Sequence, residues 1–308
     1  MSIESGPKRH HFVPKMLQKQ FTNTEGGLWT FDHRRPAKGV WCGKMDALLL
    51  QGHLYSHVRE DGSKDVELET WFSHLESETA PIVEKIISQA RNRKQPELTN
   101  IERECWDIFL YQQFRRVPDF YDALLTAEQH QAQIERFLDE YGKKVRQLTN
   151  KERSDLLDPA SLSRGYRNLR VSSLKTGSDN VLEVIAGRGL AIVRIPNPEK
   201  SFVLGSRPVA KLTPPETNDL SDPRVELWLA IAPDVMVGVG PIDKREVIVD
   251  ISDKNVRLMN ESICSQSSQV VGRSRELIAS LSPFVGRKVG KSPLPKEWED
   301  LWFERQVR

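Results

Sequence analysis

The sequence predicts an α+β fold: a helical N-terminal half packed with a mostly antiparallel sheet, and a long helix in the C-terminal half. Three observations carry this expectation. Between residues 65 and 145 apolar side chains recur at spacings of three and four, as one face of a helix requires. Beyond about Lys175 the pattern changes to short Val- and Ile-rich runs separated by Pro, Gly, Asn and Asp, as strands and turns are. Residues 253–281 then return to the helical period.

Taken in order, residues 1–64 read as irregular and extended. Pro14 disfavours a helix through Arg9 to Pro14, Lys15 to Phe21 can form a helical turn or two, and Leu28 to Phe31 is a short strand after the Glu25-Gly26-Gly27 turn. Residues 65–93 carry a stripe of Leu68, Trp71, Phe72 and Leu75 that resumes at Ile82, Val83, Ile86 and Ile87, with Pro81 expected to break or kink the helix. Thr99 followed by Glu102 is a capping box, which starts a helix expected to end near Arg116, before Pro118. A surface helix over about Phe120 to Val145 carries Leu124, Leu125, Ile134, Phe137 and Leu138. Strands are expected at 190–195, 202–204, 225–231, 235–239 and 247–251. A helix over 253–281 follows, with a docking turn containing Trp298, Leu301, Trp302 and Phe303 at the end. The polar stretch 146–178 reads as a linker. This suggests an arm plus helical region over 1–150 and a strand-rich region with C-terminal helices over 176–308, or one continuous domain.

Composition narrows the class. With 38% hydrophobic and 29% charged residues the chain can bury a core. No apolar run approaches the length of a membrane span, and the first residues, MSIESGPKRHHF, contain no apolar core of a secretory signal. Cys42, Cys105 and Cys264 lie far apart, which argues against a disulfide framework or a cysteine zinc site. A cytoplasmic location without a membrane partner is therefore expected. The net charge of +2 neither demands nor excludes nucleic acid, although residues 1–60 hold nine Lys/Arg against five Asp/Glu.

The candidates for chemistry form a short set. His10 and His11 are adjacent in an extended segment, so they point to opposite sides. One could act as a general acid or base, or bind a metal or phosphate, while the other packs inward; the plainer reading is one buried hydrogen-bonding residue and one solvated residue. Gln113 and Arg116 share a helix face with Trp106 and Phe109. They read either as an anion site, with the guanidinium forking onto a phosphate or carboxylate, or as an internal pair with Glu69, Glu76 or Asp32. Arg115 reads as a solvated neighbour. Glu69 and Glu76, two turns apart on one helix face, could act as a general acid and base, or join a histidine around a divalent metal; equally, Glu76 can simply pair with Arg116.

The string RHHFVPKMLQKQF resembles the N-terminal signature of the domain-of-unknown-function 4238 family, whose members open with His-His, an aromatic or aliphatic residue and Val-Pro. The resemblance extends over about residues 9–275. Leu28 to Asp32 is similar to the family's strand ending in an acidic residue, Tyr55 to its tyrosine, and Glu69 and Glu76 to its paired glutamates. Gln113 to Pro118 resembles its Gln-x-x-Arg-Thr-Pro motif, with Val117 in place of threonine. Phe202 to Pro208 resembles a strand ending in Ser-Asp-x-Pro, and Pro233 and Asn260 fit two further positions. Ser206 stands where the family has aspartate, so a carboxylate acting as ligand or base there would be missing. The resemblance implies a helical-plus-sheet domain in mostly microbial proteins and supplies no established activity.

Two functions are carried forward. One is a phosphodiester-cleaving, nuclease-like hydrolase acting on RNA or DNA. His10 or His11 would be its acid/base, Arg116 with Gln113 its anion clamp and a divalent metal an optional cofactor; the family's microbial setting suggests antiviral defence or toxicity. The other is a non-catalytic binding or partner protein in which these residues form a structural polar network. The pattern His-His-x-x-Pro also resembles the first element of HNH nucleases, with Asn23 and His33 suitably spaced. The residues between them, however, read as a turn and a strand where that fold has a helix. Ala186-Gly187-Arg188-Gly189 lacks the Lys-Ser/Thr ending of a phosphate-binding loop and reads as a plain turn.

Overall fold

The structure is a computed structural model that describes residues 9–118, 120–121, 125–240, 242 and 244–287. The first described elements are β1 (Arg9–His11) and α1 (Lys15–Gln20). Five short strands follow: β2 (Leu28–Asp32), β3 (Trp41–Gly43), β4 (Leu50–Gly52), β5 (His57–Val58) and β6 (Lys64–Asp65). The helices α2 (Glu67–Arg91), α3 (Asn100–Arg115), α4 (Ala127–Lys144), α5 (Asn150–Leu156), α6 (Pro159–Thr176) and α7 (Asp179–Ala186) come next. Then come β7 (Leu190–Arg194), β8 (Leu204–Gly205), β9 (Val209–Leu212), β10 (Glu226–Ala232), β11 (Val235–Val239) and β12 (Glu246–Asp250). The last described helices and strand are α8 (Asp253–Gln266), β13 (Gln269–Gly272) and α9 (Arg275–Leu281). The fold is α+β.

Two compact units interleave along the chain. Among the described residues, one collects those up to His10, Gln51–Phe72 and Pro118–Gly177; the other collects His11–Leu50, Ser73–Val117 and those from Ser178 onward.

The second unit contains two sheets. One has the order β12-β7-β11-β10-β9, antiparallel except where β12 runs parallel to β7. Every residue of β10 and β11 is buried, which explains why these strands read as continuous apolar runs instead of alternating ones. Gly189 is required where β7 and β12 begin, since a Cβ there would lie 2.0 Å from the Arg245 carbonyl oxygen. The other sheet, β3-β2-β13-β8, is antiparallel throughout. α8 packs on β8 and β9, α9 on β2 and β13, and α7 on α3.

Local chemistry sets the helix starts. Thr99 and Glu102 form the expected capping box of α3, and Thr126 with Gln129 and Thr149 with Glu152 do the same for α4 and α5. α2 continues through Pro81 unbroken. Pro81 is exposed, so the backbone bond it forfeits lies on the solvent side, while buried Leu75, Ile82, Val83 and Ile86 hold the inner face.

In the first unit, β5 and β6 make a hairpin. Asn168 of α6 grips its edge: Val58 N–H donates to Asn168 Oδ1 at 2.9 Å, and Asn168 Nδ2 donates to the Val58 carbonyl at 2.8 Å.

Besides the break expected at Pro81, four expectations are corrected. The stretch 146–178, read as a linker, is largely α5 and α6. The helix expected over 253–281 is interrupted by β13, because Ser267 and Ser268 end the helical run and Val270 and Val271 enter the centre of a sheet. Arg115 is buried, donating from Nη1 to Tyr111 Oη at 3.0 Å, and is no solvated neighbour. Trp71 is 41% exposed and stands off the stripe to which it was assigned. Leu124 and the tail positions Trp298, Leu301, Trp302 and Phe303 lie outside the described residues.

Candidate functional site

β1 separates the two histidines as an extended segment must. His10 is fully buried in the first unit and His11 is half-buried in the second.

Around His10, the Tyr55 N–H donates to Nδ1 at 3.1 Å, and the two rings stack with centroids 5.6 Å apart. Glu69 Oε2 also approaches Nδ1, at 3.5 Å. The two contacts are incompatible as drawn on one nitrogen: a lone pair engaged by Tyr55 N–H leaves no proton there for a carboxylate. The shorter, directional bond takes precedence, which puts the His10 proton on Nε2 and makes the Glu69 approach a contact and not an ion pair. His53 meets the His10 ring edge-on at 6.1 Å, and Phe72 packs on Tyr55 at 4.7 Å.

In the second unit, the segment after His11 has its backbone groups taken up one by one. Phe12 N–H donates to the Leu49 carbonyl at 3.1 Å, and the Phe12 carbonyl accepts from Arg116 Nε at 3.1 Å. The Val13 carbonyl accepts from Gln18 Nε2 at 2.8 Å. β1 itself pairs with β4, and the buried residues beyond it need such partners, here one from the backbone and two from side chains. Arg116, its side chain fully buried, also donates from Nη2 to Glu76 Oε1 at 2.7 Å. One guanidinium therefore ties α3 to α2 and to the arm, which gives a physical reason for the arm motif and the Gln-x-x-Arg motif to occur together.

His11 differs from His10. Its Nε2 donates to the Met45 carbonyl at 3.1 Å. Burial pulls its pKa below the ordinary histidine value, with the Met45 bond opposing and the charges of Lys15, Asp46 and Glu76 contributing less. Its Nδ1 has no partner among the described residues, so the ring can accept a proton there.

The remaining candidates sit apart from these contacts. Gln113 is fully buried and neither amide atom has a hydrogen-bond partner among the described residues. Ser206 lies at the end of β8, where its Oγ accepts from Ser268 N–H at 2.9 Å and Gln269 N–H at 3.2 Å, joining β8 to the start of β13. Asn260 bridges the Ser201 carbonyl and Val203 N–H at 2.8 and 3.1 Å. Asn23 holds the turn through Glu25 and Gly27 N–H, away from any helix of the HNH type. Among the described residues no group of three or more His, Cys, Asp or Glu is placed to hold a metal ion. Burial pushes the Cys264 thiol up to about 12, which disfavours its thiolate.

Sequence reasoning missed Arg188. Its guanidinium is buried on the carbonyls of Gly240, Val225 and Pro223 at 2.9, 2.9 and 3.0 Å, and burial draws its pKa below the ordinary arginine value. An arginine between two glycines before an apolar strand was the available signal.

These features define an α+β protein whose motif side chains mostly face inward. The family model described as "Protein of unknown function (DUF4238)" matches residues 9–276, and the chain belongs to that family. No curated protein and no solved structure matches it. No helix of the described residues is long and apolar enough to cross a membrane.

Proposed function

We propose that this chain is a non-catalytic binding protein whose family motifs are a structural polar network. One observation carries the reading: the Arg116 side chain, the proposed anion clamp, is wholly buried and already engaged by Glu76 and the Phe12 carbonyl. An anion from solvent would have to displace an internal carboxylate and a backbone acceptor together. The burial of His10 on a backbone N–H supports the same reading. The three free cysteines suit a reducing compartment, and we place the protein in the cytoplasm.

The test is a paired measurement of RNA and DNA cleavage, with and without divalent metal, and of urea unfolding. The network reading expects no cleavage by the wild type and a large loss of stability in Arg116→Ala. Cleavage that disappears in His11→Ala with an unchanged unfolding curve would establish the hydrolase instead.

The hydrolase remains a second reading because of His11 alone. Its Nε2–H is fixed on Met45, and burial favours the form whose Nδ1 can accept a proton at neutral pH, which is the arrangement a general base needs. Under that reading the substrate is a phosphodiester and Asp46 and Glu76 are the nearby carboxylates.

A further inference from the structure

We infer that a pocket on α6 binds a phosphate group carried by a small monoester or by the end of a nucleic-acid chain. The pocket has a volume of about 250 Å³ and lies within the first unit. One wall is a face of α6: Ser163, Tyr166, Arg167 and Arg170 follow one another at helical spacing. The other is the segment from Gln51 to Leu54, which presents His53.

The lining carries two guanidinium groups, an imidazole and two hydroxyls, and no carboxylate. Such a donor set matches a phosphate, whose oxygens accept several charged hydrogen bonds at once. A groove by Arg153 offers a contrast, since Asp155 and Asp158 share its lining and offset the positive charge.

The guanidinium groups also differ in how they are held. Arg170 stacks over the rings of Tyr121 and Tyr166, at 5.3 and 5.8 Å, which fixes its plane. Tyr166 is itself anchored by donating to the Leu125 carbonyl at 2.7 Å. Arg167 is exposed and has no ion-pair or hydrogen-bond partner among the described residues. One arginine is thus pre-oriented, and the other is available to a ligand.

His53 adds a third sign of a built site. Its backbone is left-handed, with φ of 51°, a conformation that a non-glycine residue adopts at some cost. The buried His10 ring packs on it edge-on, and His10 Nδ1 holds the Tyr55 N–H two residues further along. In this the inference rests on the network reading: His10 is a positioning residue for the pocket wall.

The experiment is titration of the 308-residue chain with inorganic phosphate, with AMP and with a 5′-phosphorylated oligonucleotide. Adenosine and the 5′-hydroxyl oligonucleotide serve as controls. Saturable binding of at least one phosphate-bearing probe and none of the controls is expected. Tightest binding of AMP or inorganic phosphate points to a small-molecule source, and tightest binding of the oligonucleotide to a chain end. Arg167→Gln should weaken binding by about tenfold or more, the worth of one charge-assisted bond, and Arg167→Lys should restore part of it. The thermal midpoint of both variants should match the wild type, because Arg167 is exposed. No saturable binding of any of the three probes, or binding unaltered in Arg167→Gln, overturns the inference. Failure of the network reading registers separately, as unchanged urea unfolding in Arg116→Ala.

Discussion

Arg116 and Glu76 meet at 2.7 Å in the second unit, with the arginine side chain fully buried and the glutamate 27% exposed. The same guanidinium holds the Phe12 carbonyl. A charge buried this way is expensive once its partner is gone, because its hydration is not restored. Glu76→Gln should therefore destabilise the protein by about 3 kcal/mol, and Arg116→Ala by ~3–5 kcal/mol, in urea unfolding. A Glu76→Gln variant as stable as the wild type would remove the pair from the network.

His10 offers a sharper distinction. Its contribution is an acceptor for Tyr55 N–H and a ring stacked on Tyr55. His10→Ala loses both and should cost about 3 kcal/mol or more. His10→Asn can place an amide oxygen near the position of Nδ1 and should recover part of that loss. Unfolding curves of the two variants that coincide would contradict the role assigned to Nδ1.

His11 predicts a pH dependence. Burial lowers its pKa in the folded state, so the unfolded chain binds the extra proton first as pH falls. The stability that neutral His11 contributes is fully present above about pH 6.5 and is lost as pH drops below that value toward the folded pKa. Thermal melts from pH 8 to pH 5 should show this fall in the wild type and a shallower one in His11→Gln. Parallel profiles would show that His11 is not the group responsible.

Ser206 is a small-scale case of the same principle. Removing its hydroxyl leaves the N–H groups of Ser268 and Gln269 without the acceptor that joins β8 to β13. Ser206→Ala should cost ~1–3 kcal/mol, and hydrogen exchange should quicken at Ser268 and Gln269 before the rest of the sheet. Equal protection in both proteins would rule out this function for the hydroxyl.

What could be read from sequence tracks how local its cause is. The Thr99–Glu102 box is a contact across three residues, and it located α3 correctly. The same pattern at Thr149–Glu152 was present inside the polar stretch taken for a linker. α5 and α6 bury so few apolar groups that no periodic stripe marks them as helices. β13 was absorbed into a helix because Val270 falls in the helical period; its true environment is set by β2 and β8, which are distant in sequence. For the site, the residue types named from sequence included the Glu76–Arg116 pair and the opposed histidines. Sequence could not tell which guanidinium is buried. Arg116 caps the end of α3 and Arg167 lies on α6, and only tertiary packing makes one internal and leaves the other exposed beside a pocket.

The most direct test of the network is a double-mutant cycle joining Arg116→Met and Glu76→Gln, measured by urea unfolding. If the two side chains stabilise the fold through each other, the double variant should lose less than the sum of the single losses, by about 1–3 kcal/mol. Additive losses, or single variants that unfold at the wild-type urea midpoint, would contradict the claim that these motif residues hold the structure together.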